Sequence, residues 1–415
     1  MSGGRIQQSV VFLPLSAQLA DPETVTWCRG VPLLMAEELQ AGGLARACFA
    51  AWTTGEDTAL RLVHLQTAPP EGHVSAYARA ARTRVGASGW GSWYGQPFMR
   101  WLLVPAAGGA PRKVAVETPE GASRLAVVRS SYDAIRRALG LEVERSPLVL
   151  GATESDGALL AWLQDLESLW TRRRRGETKP DERDYRYLLS ALTQDPGFEP
   201  AAARLLRRAG LALASEDVSR VARSHAATAL ETVGRLRPAD PLVWTLLGML
   251  DRSLGREEAA ILSLRRALKA DPEAAPAHRE LGSLLLRQKD LRKAGAHLRK
   301  AGKLAPRDPE THFALGSLYL QLKDRSRAIG HLRAVLKLAP GTGTAATASR
   351  LLRDVDEGPV RTATNALSSV VPDGVDRDRD LIARTFGVNL ELNDDITSPG
   401  PGFMERLGDE THGLD

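Results

Sequence analysis

The chain writes nearly the same eleven residues twice, as ELGSLLLRQKD at Glu280–Asp290 and as ALGSLYLQLKD at Ala314–Asp324. The two copies are 34 residues apart, and a weaker copy precedes them in the same frame. The frame defines three consecutive units between Pro241 and Thr342. A fixed period of this length indicates one small structural unit repeated in tandem.

Five positions of the frame keep the same residue type in all three units. They are Leu247-Gly248, Leu281-Gly282 and Leu315-Gly316, then Ala260, Ala294 and Ala328, then Leu264, Leu298 and Leu332, and finally Pro272, Pro306 and Pro340. Small residues let two antiparallel helices approach closely, and leucines at helical spacing fill the space between helices. Proline ends the second helix because it lacks an N–H and clashes with the preceding turn. Each unit is therefore predicted to be a helical hairpin that is stable only when stacked.

These positions resemble the tetratricopeptide repeat pattern W-x2-L-G-x2-Y, followed by A-x3-F, A and P. Trp244 and Tyr319 match the aromatic positions, whereas the late bulky position is leucine. The resemblance implies an all-α solenoid, a right-handed superhelix of helical hairpins, whose concave face binds a peptide or a partner segment. Residues 197–240 are predicted to be a degenerate repeat, residues 241–342 the three units, and residues 343–355 a capping helix.

The family's groove positions fall on the first helix of each unit. Carried over residue by residue, and with the neighbouring Arg287, they are Thr245, Met249, Arg252, Arg279, Ser283, Leu286, Arg287, Phe313, Ser317 and Leu320. The Lys/Asn clamp with which some members hold a terminal carboxylate is absent. The mixture of apolar residues and arginines predicts a partner with apolar and acidic character. Leu286 and Leu320 are equally compatible with packing between repeats.

Charge divides along the chain. Residues 241–342 carry 19 basic and 10 acidic residues, a net charge of +9, whereas residues 354–415 carry 5 basic and 14 acidic residues, a net charge of −9. The turn-rich composition predicts a largely disordered acidic tail over residues 356–415. Its one apolar segment, DLIARTFGVNLEL, leads to the hypothesis that the tail docks on the repeats, in cis or in a neighbouring molecule, and competes with the ligand. The alternative is a solvated tail that maintains solubility.

Residues 1–145 have a different character. The order strand, helix, strand, helix, antiparallel strands, helix predicts an α/β domain, with Asp21 capping the first helix and Gly42-Gly43 ending it. The stretch VVFLPL…DPETVTWCRGVPLLMAEEL…GGLARACFAAW resembles the N-terminal domain of the TolB-like family, although ALRLVHLQTAPPEG is an addition. The resemblance implies binding and scaffolding. Trp90, Trp93, Tyr94 and Trp101 are interpreted mainly as a sheet face packed on a helix, with an exposed stacking patch as the alternative.

Residues 146–196 are predicted to be a helical linker that contains the run Arg172–Arg175. Such a run is able to contact phosphate, RNA or an acidic protein. At the end of a helix, however, it is more often a solvated segment that the helix dipole favours.

No sequence motif indicates catalysis. The glycine-rich VGASGWGSWYG leads into a strand and is not a phosphate-binding loop. His297 and His331 share a repeat position but lack a further metal ligand, and Cys28 and Cys48 lie in apolar stretches. We therefore expect no enzyme activity, no cofactor and no metal.

The N-terminus lacks the features of a signal peptide, and no apolar run is long enough to span a bilayer. A cytoplasmic location without membrane insertion is expected. The sequence thus favours an adaptor or scaffold for protein–protein interaction. The alternatives are a nucleic-acid-associated regulatory protein that uses the basic surface, and an enzyme with a cryptic N-terminal site.

Overall fold

The structure is a computed structural model, and the residues it describes form two compact units. They are residues 8–18, 21–50, 53–54, 61–62, 64–93, 96–116, 118, 120–141, 147–176, 183–214 and 218–357. Unit 1 contains the described residues up to 176 together with residues 186–202. Unit 2 contains the described residues 183–185 and 203–357. The predicted acidic tail beyond Glu357, including its proposed docking segment, lies outside the described residues.

Unit 1 contains a five-stranded mixed sheet and a two-stranded sheet. The strands are β1 (Ser9–Phe12), β2 (Arg46–Phe49), β3 (Thr53–Thr54), β4 (Arg61–Leu62), β5 (Val85–Ser92), β6 (Phe98–Pro105) and β7 (Arg112–Ala115). The order in the larger sheet is β2-β1-β5-β6-β7, and β3 pairs with β4. Strand β1 is parallel to β2 and β5, with Val10 opposite Ala47 and Val85, whereas β5, β6 and β7 are antiparallel neighbours.

The helices of unit 1 lie between and after these strands. They are α1 (Pro22–Ala41), α2 (Glu71–Ala80), α3 (Arg124–Ala138), α4 (Asp156–Arg174) and α5 (Arg183–Gln194). The predicted order of strands and helices in residues 1–145 is confirmed, as is the cap of α1, where Asp21 accepts hydrogen bonds from the N–H groups of Glu23 and Thr24. The small β3–β4 sheet was not expected from the residue pattern.

Helix α4 packs against α1, although residues 146–196 were expected to be a linker. A Cβ on Gly30 of α1 would lie only 2.6 Å from Cβ of Leu163. The buried carboxylate of Glu38 accepts hydrogen bonds from three consecutive N–H groups, those of Leu148, Val149 and Leu150, at 2.6–3.0 Å. These contacts place α4 and the turn before it inside unit 1.

Unit 2 consists of antiparallel helices in repeated pairs. They are α6 (Glu199–Ala214), α7 (Arg220–Leu236), α8 (Pro241–Ser253), α9 (Glu257–Ala270), α10 (Ala275–Arg287), α11 (Leu291–Leu304), α12 (Pro309–Gln321), α13 (Arg325–Leu338) and α14 (Gly343–Glu357), with the boundary between the units inside α6. Helices α8 and α9, α10 and α11, and α12 and α13 form the three hairpins. Each second helix ends two residues before its repeat proline, as the sequence predicts.

The close approach of the two helices in each hairpin depends on the glycine at the eighth repeat position. A Cβ on Gly248, Gly282 or Gly316 would lie 2.7, 2.7 or 2.9 Å from the leucine at the twenty-fourth position of the same unit. Those three leucines, Leu264, Leu298 and Leu332, are completely buried. A larger residue at any of these glycines must therefore displace a core leucine.

We expect Gly282→Ala to destabilise the repeats by about 1–3 kcal/mol, because the added methyl group overlaps Leu298. The matched control is Gly330→Ala in α13, where a Cβ would meet nothing within 4 Å. This control should stabilise the helix by about 0.5–1 kcal/mol. Urea denaturation of both variants measures the difference, and equal effects of the two substitutions would contradict the proposed contact.

Candidate partner-binding surfaces of the repeats

Most of the predicted groove residues lie inside the array of first helices. Thr245, Met249, Arg279, Phe313, Ser317 and Leu320 are buried, and so is Leu286. Arg252 and Ser283 are half-buried, and Arg287 is exposed. A role of these positions in partner binding stays a prediction, and their main visible role is packing.

The hydroxyl groups at these positions are mostly satisfied within their own helices. Thr245 Oγ1 donates to the carbonyl of Pro241 at 2.7 Å, and Ser317 Oγ donates to that of Phe313 at 3.0 Å. Ser283 differs, since its Oγ is buried without a hydrogen-bond partner among the described residues. It is the one hydroxyl of this set with unused hydrogen-bonding capacity there.

A buried chain of charges joins the first helices of successive repeats. Arg252 of α8 places Nε 3.2 Å from Oε2 of Glu280 on α10. The other oxygen of Glu280 accepts from Nε and Nη2 of Arg279, at 3.0 and 2.9 Å. Arg279 Nη1 in turn donates to Oδ2 of Asp308 at 3.0 Å, at the start of α12. Two arginines predicted to attract an acidic partner are thus engaged by carboxylates of the chain itself.

The pKa values within this charge network show how strongly its members depend on each other. Burial alone would lower the pKa of Arg279, but the carboxylates of Glu280, Asp308 and Glu310 outweigh it and raise the pKa. Burial would raise the pKa of Asp308, but Arg279 and hydrogen bonds from Thr311 hold it below its usual value. Arg279 and Asp308 are therefore charged at neutral pH.

Two histidine pairs occupy equivalent positions in the second and third repeats. His278 Nε2 donates to the carbonyl of Pro272 at 3.1 Å, which leaves its Nδ1 as an acceptor for His297 Nδ1 at 2.8 Å. His312 makes the same contacts with Pro306 and His331, at 3.1 and 3.0 Å. If both imidazoles of a pair are in the cationic form, both Nδ1 atoms carry a proton and the central hydrogen bond is lost.

The sequence reasoning missed these pairs, because it compared His297 only with His331 in the next unit. The available signal was the recurrence of histidine at the fourth position, where the first unit has Trp244. Trp244 Nε1 donates to the carbonyl of Pro238 at 3.0 Å, so histidine preserves the tryptophan hydrogen bond. Burial lowers the pKa of His278, and burial together with the partner imidazole lowers the pKa of His297 and His331.

The second helices carry two rows of exposed basic side chains, which we call the basic ladders. One row is Arg265, Arg299 and Arg333, and the other is Lys269, Lys303 and Lys337. Members of each row are 34 residues apart in sequence and so recur at one position per repeat. Helices α11 and α13 contain no acidic residue, and no ion pair joins a ladder side chain to another described residue.

The Arg172–Arg175 run forms the end of α4 and is only half-exposed. Burial lowers the pKa of Arg174, whose guanidinium lies 5.9 Å from the centre of the Trp170 ring.

Burial also raises the pKa of the Cys28 thiol to about 11 and that of the Cys48 thiol to about 12, so both thiols are protonated at neutral pH. Among the described residues, no helix combines the length and the apolar character needed to cross a bilayer.

The tetratricopeptide repeat family matches residues 200–342, which include the three predicted units and most of the degenerate one. This match supports tetratricopeptide repeats over residues 200–342. It begins at residue 200, so the resemblance of residues 1–145 to the TolB-like domain stays a prediction. No match was found among curated proteins.

Several solved structures are similar to parts of the chain. One is YrrB, described as a TPR protein with an unusual peptide-binding site; it is 19% identical, with 46% of this chain and 89% of that chain covered and a TM-score of 0.33. MamA from Desulfovibrio magneticus RS-1 is 21% identical, with 43% and 97% covered and a TM-score of 0.31. TTC0263, a TPR protein from Thermus thermophilus, is 20% identical, with 48% and 98% covered and a TM-score of 0.32.

We expect Glu280→Gln to destabilise unit 2 by about 3–5 kcal/mol, because Arg279 would keep its buried charge with fewer carboxylate partners. The matched control is Glu257→Gln, whose ion pair with Arg287 is partly exposed and contributes about 1 kcal/mol or less. Chemical denaturation gives both values. A loss as small as that of the control would show that the buried network does not stabilise the repeats.

The histidine pairs should make stability depend on pH. Because the pKa values of His278, His297 and His331 are lowered on folding, the unfolded chain binds more protons, and stability falls as the pH drops below about 6.5. Asp251 acts in the opposite direction, since burial raises its pKa to about 6 and protonation then favours the folded state. The contribution of the histidine pairs is therefore measured as the difference in pH dependence between a variant and the parent chain.

In the double variant His297→Ser with His331→Ser, which copies Ser263 of the first unit, the loss of melting temperature between pH 7.5 and 5.5 should shrink by roughly 2–4 °C. Gly330→Ala in α13, which changes no titratable group, serves as the control and should leave the pH dependence of the parent unchanged. A double variant with the parent's pH dependence would rule out the pairs as its source.

Proposed function

We propose that the protein is a non-enzymatic adaptor that binds an acidic, partly apolar segment of another protein through its tetratricopeptide repeats. The observation that carries the proposal is the pair of basic ladders on α9, α11 and α13. We propose further that unit 1 docks a second partner and that the protein works in the cytoplasm. No step of this function requires a cofactor.

The ladders suit an extended acidic segment because they repeat the same two charges once per hairpin. Each exposed contact is worth little, about 0.2–1 kcal/mol, but several in register add specificity and accelerate association. The lack of acidic residues on α11 and α13 leaves these charges available to a partner. Salt should therefore weaken binding.

The ten predicted groove positions take a smaller part in this proposal than the sequence suggested. Seven of them are buried, and Arg252 and Arg279 are bound to Glu280. Arg287 is exposed, and Ser283 has an unpaired buried hydroxyl among the described residues. The ladders, rather than the groove positions, would therefore make most of the contacts with the partner.

The acidic tail is part of the proposal as a competitor for the ladders. Its net charge of −9 is opposite in sign to that of the repeats. Its segment DLIARTFGVNLEL also provides the apolar character that is expected of a partner. A tail that occupies the ladders would lower the affinity for acidic partners. Removing it would then expose the full surface.

The test compares four versions of the chain as bait for cross-linking in a lysate of the organism that encodes it, followed by mass spectrometry. They are the full chain, the chain ending at Glu357, that shorter chain with Lys269→Glu, Lys303→Glu and Lys337→Glu, and that shorter chain with Arg46→Glu, Arg84→Glu and Lys113→Glu. The last version is the control, because it makes the same charge change at exposed positions of unit 1. We expect the shorter chain to recover more of the same proteins than the full chain.

The ladder variant should lose at least about tenfold of that recovery, and the unit 1 variant should keep it. Nuclease treatment should leave the recovered proteins unchanged. If instead nuclease-sensitive material is recovered and binding to random oligonucleotides falls steeply with salt, the protein is a nucleic-acid-associated one. Equal recovery by both charge variants would contradict a role of the ladders.

A further inference from the structure

Unit 1 contains a cavity of about 590 Å³ at the carboxyl ends of β1 and β5, two inner strands of its five-stranded sheet. This volume lies within the usual range of small-molecule pockets. The cavity is lined by the segment after β1, the first turn of α1, the segment before α2, and the end of β5 with the residues that follow it. None of these segments belongs to the repeats.

The position of the cavity is one at which open sheets of this kind bind ligands. Strand β1 lies between β2 and β5 and is parallel to both. The chain passes from β1 through α1 to β2 on one side, and β5 follows on the other side. The crevice outside the carboxyl ends of β1 and β5 is therefore a topological switch point, the preferred site for ligands in such sheets.

The described residues that line the cavity are mostly polar or aromatic, and none of them has an ionisable side chain. Its aromatic members are Trp90, Trp93 and Phe98, and its amide members are Gln18 and Gln66. A charged ligand would leave water here without a counter-charge, at a large cost in free energy. The N–H groups of Glu23 and Thr24 in the first turn of α1 are already held by the Asp21 carboxylate, which further disfavours an anion.

The lining residue Thr24 has a hydrogen bond to offer. Thr24 is 2% exposed, and its Oγ1 is buried with no hydrogen-bond partner among the described residues. A buried hydroxyl without a partner is costly, and a bound ligand removes that cost. Ser16, by contrast, already donates its hydroxyl to the carbonyl of Gly89 at 3.1 Å.

The aromatic side chains are held in place around this opening. Trp93 is stacked on Trp27, with ring centres 5.0 Å apart. Trp90 is 37% exposed at the cavity, and the guanidinium of Arg100, which does not line the cavity, lies 5.9 Å from its ring centre. The predicted aromatic cluster has two further members. Trp101 is buried, and Tyr94 lies outside the described residues.

We propose that this cavity binds an uncharged nucleobase or nucleoside. A flat heterocycle stacks on exposed tryptophan, and glutamine amides pair with the donor and acceptor groups on its edge. The unpaired Thr24 hydroxyl supplies a further contact. The site is independent of the basic ladders and of the function proposed for the repeats.

The test is isothermal titration calorimetry of the full chain with adenosine, guanosine, cytidine and uridine. Methyl glucoside and the corresponding nucleoside monophosphates are titrated for comparison. We expect at least one nucleoside to bind with a Kd below about 1 mM and more tightly than its monophosphate. The glucoside should not bind.

Two variants locate the site. Trp90→Ala should weaken nucleoside binding at least about tenfold through lost stacking. Thr24→Val, which keeps the shape of the side chain, should weaken it about fivefold without lowering the melting temperature, because the hydroxyl has no partner to lose. Leu148→Ala, at a position 58% exposed elsewhere in unit 1, is the control and should bind like the parent chain.

The proposal is overturned if no nucleoside binds, or if methyl glucoside binds in its place. It is also overturned if both Trp90→Ala and Thr24→Val bind the nucleoside like the parent chain, since the ligand would then occupy another site. Tighter binding of the monophosphate would contradict the uncharged ligand class.

Discussion

The contact between a glycine on the first helix and a buried leucine on the second fixes the geometry of the three hairpins between Pro241 and Thr342. With less than 3 Å between an added Cβ and the leucine side chain, the two helices pack at a distance that only glycine permits. This distance brings the remaining side chains of the hairpin into register with its neighbours. It also determines which faces point outward, and hence where the second helices expose their charges.

Stacked hairpins of this kind create two very different polar surfaces. On the first helices, the two arginines Arg252 and Arg279 are balanced by the carboxylates of Glu280 and Asp308, so these charges stabilise one arrangement of the repeats. On the second helices, arginine and lysine recur at fixed positions without acidic neighbours on α11 and α13. The arginines of the first helices thus hold the repeats together, whereas the arginines and lysines of the second helices are available for binding.

The two units also differ in the kind of recognition that their geometry favours. The repeats offer a long surface on which weak contacts accumulate, which suits a segment of another protein. Unit 1 offers a cavity at the carboxyl ends of β1 and β5, and the described residues that line it are uncharged, which suits a small uncharged molecule. The two proposed sites share no residue, so each can be removed without disturbing the other.

The sequence by itself determined the repeat period, the hairpins, their glycine and leucine contacts and the order of elements in the N-terminal region. These follow from periodic patterns and from residues whose local effects are strong, such as proline after a helix or aspartate before one. It did not determine the fate of Arg279, the pairing of His278 with His297, or the cavity beside Thr24 and Trp90. Those depend on side chains far apart in sequence, whose burial and hydrogen-bond partners are decided only when helices and strands pack together.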